Sequence, residues 1–194
     1  KHPGYFTHQY ALELSDRFQT NLKYIQHHEA HFAAVLGENN LLHDAEPVLG
    51  VIWDGTGLGD DGNIWGGEFF KYEKKEMLRC YHFDYFPVIT ADKMSLEPRI
   101  AALCVVSDTW PQTGNLKEKV TESEWNNDQL LIESVTLYSS SVGRIFDAVA
   151  SLLNICDKQT YEGEAAMYLQ AHAEEYVLEN GFEMNDSYFK EGSH

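Results

Sequence analysis

The chain has 194 residues, of which 43% are hydrophobic and 13% aromatic, enough for one globular domain with a real core. Its 31 acidic residues outnumber its 14 basic ones and leave a formal charge of −17, so nothing is available to track a phosphate backbone and nucleic-acid binding is disfavoured. No apolar run approaches the ~20 residues that span a membrane, and no signal peptide is visible.

Residues 7–21 carry the pattern of an amphipathic helix, and Leu22 to Gln26 that of a short strand. Glu29 to Leu36 reads as a helix with Phe32, Val35 and Leu36 as its apolar stripe. Across its start lies Gln26-His27-His28-Glu29-Ala30-His31. In a helix, residues four apart leave the same face, so His27 and His31 can grip one metal ion while His28 projects about 100° away. Such histidine pairs are also common on solvated helix faces. The motif is not the metalloprotease His-Glu-x-x-His, because Glu29 stands midway between the two outer histidines.

The apolar run Val48 to Trp53 predicts a buried strand ending at Asp54. A glycine- and aspartate-rich loop follows, from Gly55 to Asn63, and then a second strand from Ile64 to Tyr72. A carboxylate at the strand end makes Asp54 a candidate third ligand. Two imidazoles and one carboxylate leave positions open on a metal for substrate oxygen or water. Gly66 and Gly67 permit close approach of backbone to a ligand, or mark a β-bulge; both readings stand. Met77 to Phe86 predicts a third strand.

The second half reads as mostly helical, with helices over 95–106, 128–137, 142–153 and 162–178. Residues 108–127, with Pro111 and Gly114, predict a loop or insertion. Cys80, Cys104 and Cys156 are odd in number and far apart, as expected for reduced, partly buried thiols of a cytoplasmic protein. The start at Lys1 and the stop just past a helical pattern predict that residues 1–194 are one truncated domain of a longer protein.

Six segments in order carry a resemblance. They are His2-Pro3-Gly4-Tyr5, Gln26 to His31, Asp54-Gly55-Thr56-Gly57, Ile64-Trp65-Gly66-Gly67-Glu68, Ser140 to Asp147 and Thr160 to Ala166. Over about residues 1–175 the chain resembles the C-terminal carbamoyltransferase domain of the hydrogenase-maturation HypF family. The resemblance implies a mixed α/β fold, part of an actin/hexokinase-like ATPase-type domain with a hairpin sheet and packed helices. It implies transfer of carbamoyl from carbamoyl-adenylate, made from carbamoyl phosphate and ATP, to the C-terminal cysteine of a HypE-like acceptor protein. It makes His27, His31 and Asp54 ligands of iron or zinc, with a fourth aspartate beyond the chain. Gly55, Thr56, Gly57, Gly66 and Gly67 would offer backbone N–H groups to phosphate or carbamoyl oxygens. Arg144 would add a fork of donors to that anion, or else pair with Asp147 or Glu162. Asp147, Glu162 and Glu164 would face ribose hydroxyls or lie on solvated helix faces, and Gly163 would shape a nucleotide contact at a helix start.

The family pattern Gly-Gly-Asp-x-Ala and Arg-Glu-Pro appears here as Thr90-Ala91-Asp92-Lys93-Met94 and Leu96-Glu97-Pro98-Arg99. One expected arginine is thereby lost from the substrate edge. Two other readings compete: O-carbamoylation of a small molecule, and a non-catalytic module that binds a nucleotide or a partner protein.

Overall fold

The computed structural model describes residues 5–43, 46–107 and 114–182. The motif residues His2, Pro3 and Gly4 lie outside the described residues.

Helix α1 (Phe6–Phe18) stops at Gln19, which takes a left-handed conformation with φ of 50°. It buries no residue. Leu22 to Gln26 forms no strand, contrary to the expectation; no strand pairs with it, and Gln26 is spent on capping the next helix. That helix, α2 (His27–Glu38), begins two residues earlier than its apolar stripe suggested. The Gln26 side-chain oxygen accepts from the backbone N–H groups of His28 at 2.5 Å and Glu29 at 3.1 Å, satisfying two of the donors a helix start leaves open. The residues that α2 buries are His28, Phe32 and Leu36, spaced by four. A 3-10 turn at Leu41–His43 follows.

The sheet starts with β1 (Val48–Leu58) and β2 (Ile64–Glu73), an antiparallel hairpin running from Val48 opposite Tyr72 to Leu58 opposite Ile64. β1 therefore continues through Gly55-Thr56-Gly57, which the sequence placed in a loop. The turn is confined to residues 59–63. Between Trp53 (opposite Gly67) and Gly57 (opposite Trp65) the register shifts, so Asp54, Gly55 and Thr56 face Gly66 alone. The bulge is thus on β1, not at Gly66-Gly67. Bulges re-aim side chains beside functional sites.

β3 (Glu76–His82) pairs antiparallel with β2, and the predicted third strand breaks before β4 (Phe86–Pro87). The short helix α3 (Ala91–Met94) is separated from α4 (Pro98–Val106). The helix expected over 95–106 starts three residues later: Pro98 disfavours the helical conformation at the residue before it, so Glu97 stays non-helical and Pro98 opens α4. α5 (Gly114–Lys117) and α6 (Glu122–Glu133) stand where a loop was expected over 108–127, of which 108–113 lie outside the described residues. The Thr121–Glu124 capping box starts α6 six residues ahead of the predicted helix. β5 (Tyr138–Ser139) bridges β2 and β4. α7 (Val142–Leu152) and α8 (Glu164–Asn180) close the described chain.

Three apolar clusters hold these elements, the smallest of them seating α8 on α7 through Ala150, Cys156 and Ala165. Phe32 and Leu36 of α2 pack on Trp65, Phe70 and Tyr72 of β2. Gly50 makes this possible: a Cβ there would sit 2.6 Å from the Phe32 ring. The second cluster joins α4 to α7 through Ile100, Ala101, Cys104 and Ala148, with Phe86 and Val88 above. Burial pushes the Cys104 thiol up to about 12, so it stays a protonated core residue. All three cysteines are free, and Cys80 is exposed. No helix among the described residues is long and apolar enough to cross a membrane.

Candidate functional site

Gly50, Ile52 and Asp54 alternate with the exposed Leu49, Val51 and Trp53, so Asp54 sits on the side of β1 that faces α2. There it meets the start of the helix. Asp54 Oδ2 lies 2.9 Å from His27 Nε2 and 4.0 Å from His31 Nε2. The two imidazole Nε2 atoms are 3.1 Å apart. One donor atom from each of the three residues falls within 4.8 Å of the others. Zinc with bonds of ~2.0–2.1 Å spans ligand atoms about 3.3 Å apart, and these separations bracket that value. The donor set therefore fits a divalent cation such as iron or zinc.

Gly57 makes room for the imidazoles. A Cβ there would strike His28 Cε1 and sit 2.8 Å from His27 Cδ2. Asp54 is steadied by Gly55 N, which donates to Oδ1 at 2.6 Å. Ser141 holds the bulge from the other side. Its hydroxyl donates to the carbonyls of Asp54 (3.3 Å) and Gly55 (2.7 Å) and accepts from Arg144 N as the cap of α7. A Cβ on Gly143 would be 3.0 Å from Gly55 Cα, so α7 approaches the bulge closely.

The bulge separates two clefts. One, of about 350 Å3, is lined by Tyr5, His27, Thr56, Gly57, Leu58 and Ile64, among others. The second, of about 310 Å3, includes Gly55, Thr56, Asp92, Ser139, Arg144 and Glu162. Thr56 and Ile64 belong to both.

Several expected ligand contacts are instead spent inside the protein. Gly66 N and Gly67 N donate to Glu68 Oε1, at 3.1 and 3.2 Å, so neither is free for a phosphate or carbamoyl oxygen. Gly55 N is committed to Asp54 in the same way. A Cβ at Gly66 would lie 2.9 Å from Ser141 Cα, so this glycine serves close backbone packing. Arg144 Nη2 pairs with Asp147 Oδ2 at 3.0 Å while still lining the second cleft. Asp147 is 1% exposed and faces neither solvent nor a cleft. Burial, with a smaller push from Glu162, lifts its carboxyl to about 6 against the opposing pull of Arg144. Glu164 accepts from Thr160 N, Thr160 Oγ1 and the Tyr168 hydroxyl, a local cap in place of the expected ribose contact. Gly163 precedes α8 with φ of 86°, a conformation that favours glycine. The N–H of Ala165 there is taken by Gln159 Oε1 at 3.0 Å.

Two residues of the motif segments had no role assigned from the sequence. Glu68 is wholly buried and accepts from Arg79 Nε at 2.5 Å and from the Ser140 hydroxyl. Burial raises its carboxyl, but the bonds from Arg79, Ser140, Gly66 and Gly67 outweigh it and hold it below the ordinary value. His28 is also wholly buried, and burial lowers its basicity. Its place on the stripe with Phe32 and Leu36 was the available signal.

The family model described as the second subdomain of the carbamoyltransferase Kae1-like domain matches residues 50–190. The HypF Kae1-like domain model matches residues 1–38. The fold is that of a Kae1-like carbamoyltransferase domain. The chain belongs to the HypF carbamoyltransferase family. It is 34% identical over 193 residues to carbamoyltransferase HypF of Synechocystis, an alignment covering 88% of this chain and 24% of that protein. It is 35% identical over 177 residues to HypF2 of Cupriavidus necator, covering 90% and 22%. The crystal structure of full-length HypF in the phosphate- and nucleotide-bound form superposes with a TM-score of 0.77 at 34% identity, over 87% of this chain and 22% of that one. HypF from T. kodakarensis gives a TM-score of 0.74 at 34% identity, over 89% and 24%. The chain thus spans about a quarter of the length of these relatives.

Proposed function

We propose that this chain is the carbamoyl-transfer part of a HypF-type enzyme acting in the cytoplasm. The supporting observation is the meeting of His27, His31 and Asp54 at the edge of a cleft of about 350 Å3, a size that suits a small-molecule ligand. The substrate is carbamoyl-adenylate, formed from carbamoyl phosphate and ATP, and the acceptor is the C-terminal cysteine of a HypE-like protein. The cysteine thiolate attacks the carbamoyl carbon. A C–S bond forms, the C–O bond to the phosphate breaks, and AMP leaves with that electron pair. The product is a thiocarbamate.

His27, His31 and Asp54 would hold iron or zinc, which supplies Lewis-acid neutralisation of the phosphate charge as AMP departs. Thr56, on the wall shared by both clefts, is placed to touch substrate from either side. Arg144 lines the second cleft, and its buried Nε has no hydrogen-bond partner among the described residues. As a cleft-lining guanidinium it is placed to meet an anion there. Glu162, in the same cleft, would orient the nucleotide's hydroxyl groups.

The test is a chimera in which this chain replaces the matching segment of Synechocystis HypF, supplied with carbamoyl phosphate, ATP and acceptor protein. AMP release with thiocarbamate on the acceptor, both lost on His27→Ala/His31→Ala, is expected. Transfer that survives both substitutions would overturn the reading.

A further inference from the structure

His28 has a partner on one ring nitrogen and none on the other. Gln26 Oε1 accepts from two backbone N–H groups, which only an oxygen can do, so the amide orientation is fixed. Its NH2 group must then donate to the Leu58 carbonyl at 3.1 Å and to His28 Nδ1 at 3.1 Å. A ring nitrogen that accepts carries no proton, so the neutral ring holds its proton on Nε2. That Nε2–H is buried without a hydrogen-bond partner among the described residues. A buried donor is rarely left unpaired. The Asp54 carboxylate faces it, with Oδ2 3.9 Å away.

We propose that His28 is a positioning residue of the candidate metal centre, its Nε2–H donating to Asp54 Oδ2 once His27 Nε2 and Asp54 Oδ2 share a cation instead of a proton. The inference rests on the metal reading above. At present Asp54 Oδ2 is 2.9 Å from His27 Nε2, a contact that needs a proton between them. A cation taken up by His27 Nε2 displaces that proton and removes the donor. Asp54 Oδ1 stays tied to Gly55 N, so the carboxylate has one fixed oxygen and one free to turn. Closing 3.9 Å to the usual ~2.9 Å takes about 1 Å of movement. His28 cannot itself be a ligand in this arrangement, because Nδ1 faces the Gln26 amide and Nε2 carries the proton. It serves instead to hold the carboxylate in register, the role that outer donors play around metal ligands.

The experiment titrates Zn2+ into the chain against a chromophoric chelator, for the wild type, His28→Phe and His28→Gln. Phe fills the pocket without a donor, whereas Gln returns an N–H near the Nε2 position. Zn2+ affinity about 10- to 100-fold weaker in His28→Phe and mostly recovered in His28→Gln is expected. Equal affinity in His28→Phe and wild type, or no recovery with Gln, would overturn the inference while leaving the metal reading intact. Failure of the wild type to bind Zn2+ would overturn the metal reading, and this inference with it. Long-range 1H–15N correlation on the metal-free wild type gives an independent check. A proton on Nε2 is expected, and a proton on Nδ1 would overturn the inference without any variant that has to fold.

Discussion

Arg79 reaches back from β3 to the fully buried Glu68 of β2, with Nε 2.5 Å from the carboxylate and the guanidinium 3.8 Å above the Trp65 ring. This pair ties the sheet to the site. The same carboxylate takes the Gly66 and Gly67 N–H groups and the Ser140 hydroxyl, next to the residue that clamps the Asp54 bulge. The Tyr85 hydroxyl extends the network by donating to Asp61 in the β1–β2 turn and accepting from Arg79.

Arg79→Leu leaves the Glu68 charge buried without its cation. Removing one partner of such a pair costs about 3–5 kcal/mol. Urea unfolding should show this loss, and a double change that also neutralises Glu68 as Gln should recover part of it. A loss below ~1 kcal/mol would mean that water reaches Glu68.

Two buried carboxyls give opposite pH dependences. Glu68 is held below the ordinary carboxylate value, so the folded protein binds fewer protons there than the unfolded chain; its contribution is present above ~4.5 and is lost as pH falls through the lower folded value. Asp147 is raised from 3.8 to about 6, so the folded state binds the extra proton between those values and stability falls as pH rises through that window. Asp147→Asn removes this opposing slope. The stability difference, variant minus wild type, should rise between about pH 4 and pH 6 by at most about 3 kcal/mol. A flat difference in urea unfolding across that range would contradict the buried assignment of Asp147.

Gly57 is the point where strand and histidines come closest. Gly57→Ala drives a methyl group into the His27 and His28 rings. His28 is pinned by Gln26, so the ring cannot simply swing away. A loss of about 1–3 kcal/mol in stability is expected, together with weaker Zn2+ binding than the wild type. Unchanged Zn2+ affinity would show that the histidines have more freedom than the packing implies.

Much of this arrangement could be read from residue order. The spacing of His27 and His31 on a helix, the carboxylate at Asp54 and the strand pair around it all follow from local periodicity. The bulge does not. Its position depends on three residues of β1 meeting Gly66 alone, which is set by pairing between strands and by Ser141, 87 positions from Asp54. The fates of Gly66, Gly67 and Glu164 were hidden for the same reason. Their partners are chosen by tertiary packing, and a free donor or carboxylate looks identical in sequence to a committed one. The α6 start is different: its Thr121–Glu124 capping box is a local feature of the chain, within the stretch where a loop was expected.

The most direct test of the central claim is metal content by elemental analysis of the purified chain, alongside His27→Ala/His31→Ala. Close to one iron or zinc per chain, lost in a double variant that still folds, is the result expected of His27, His31 and Asp54 as a cation site. Metal retained by the double variant, or none in a folded wild type given excess iron and zinc, would contradict it.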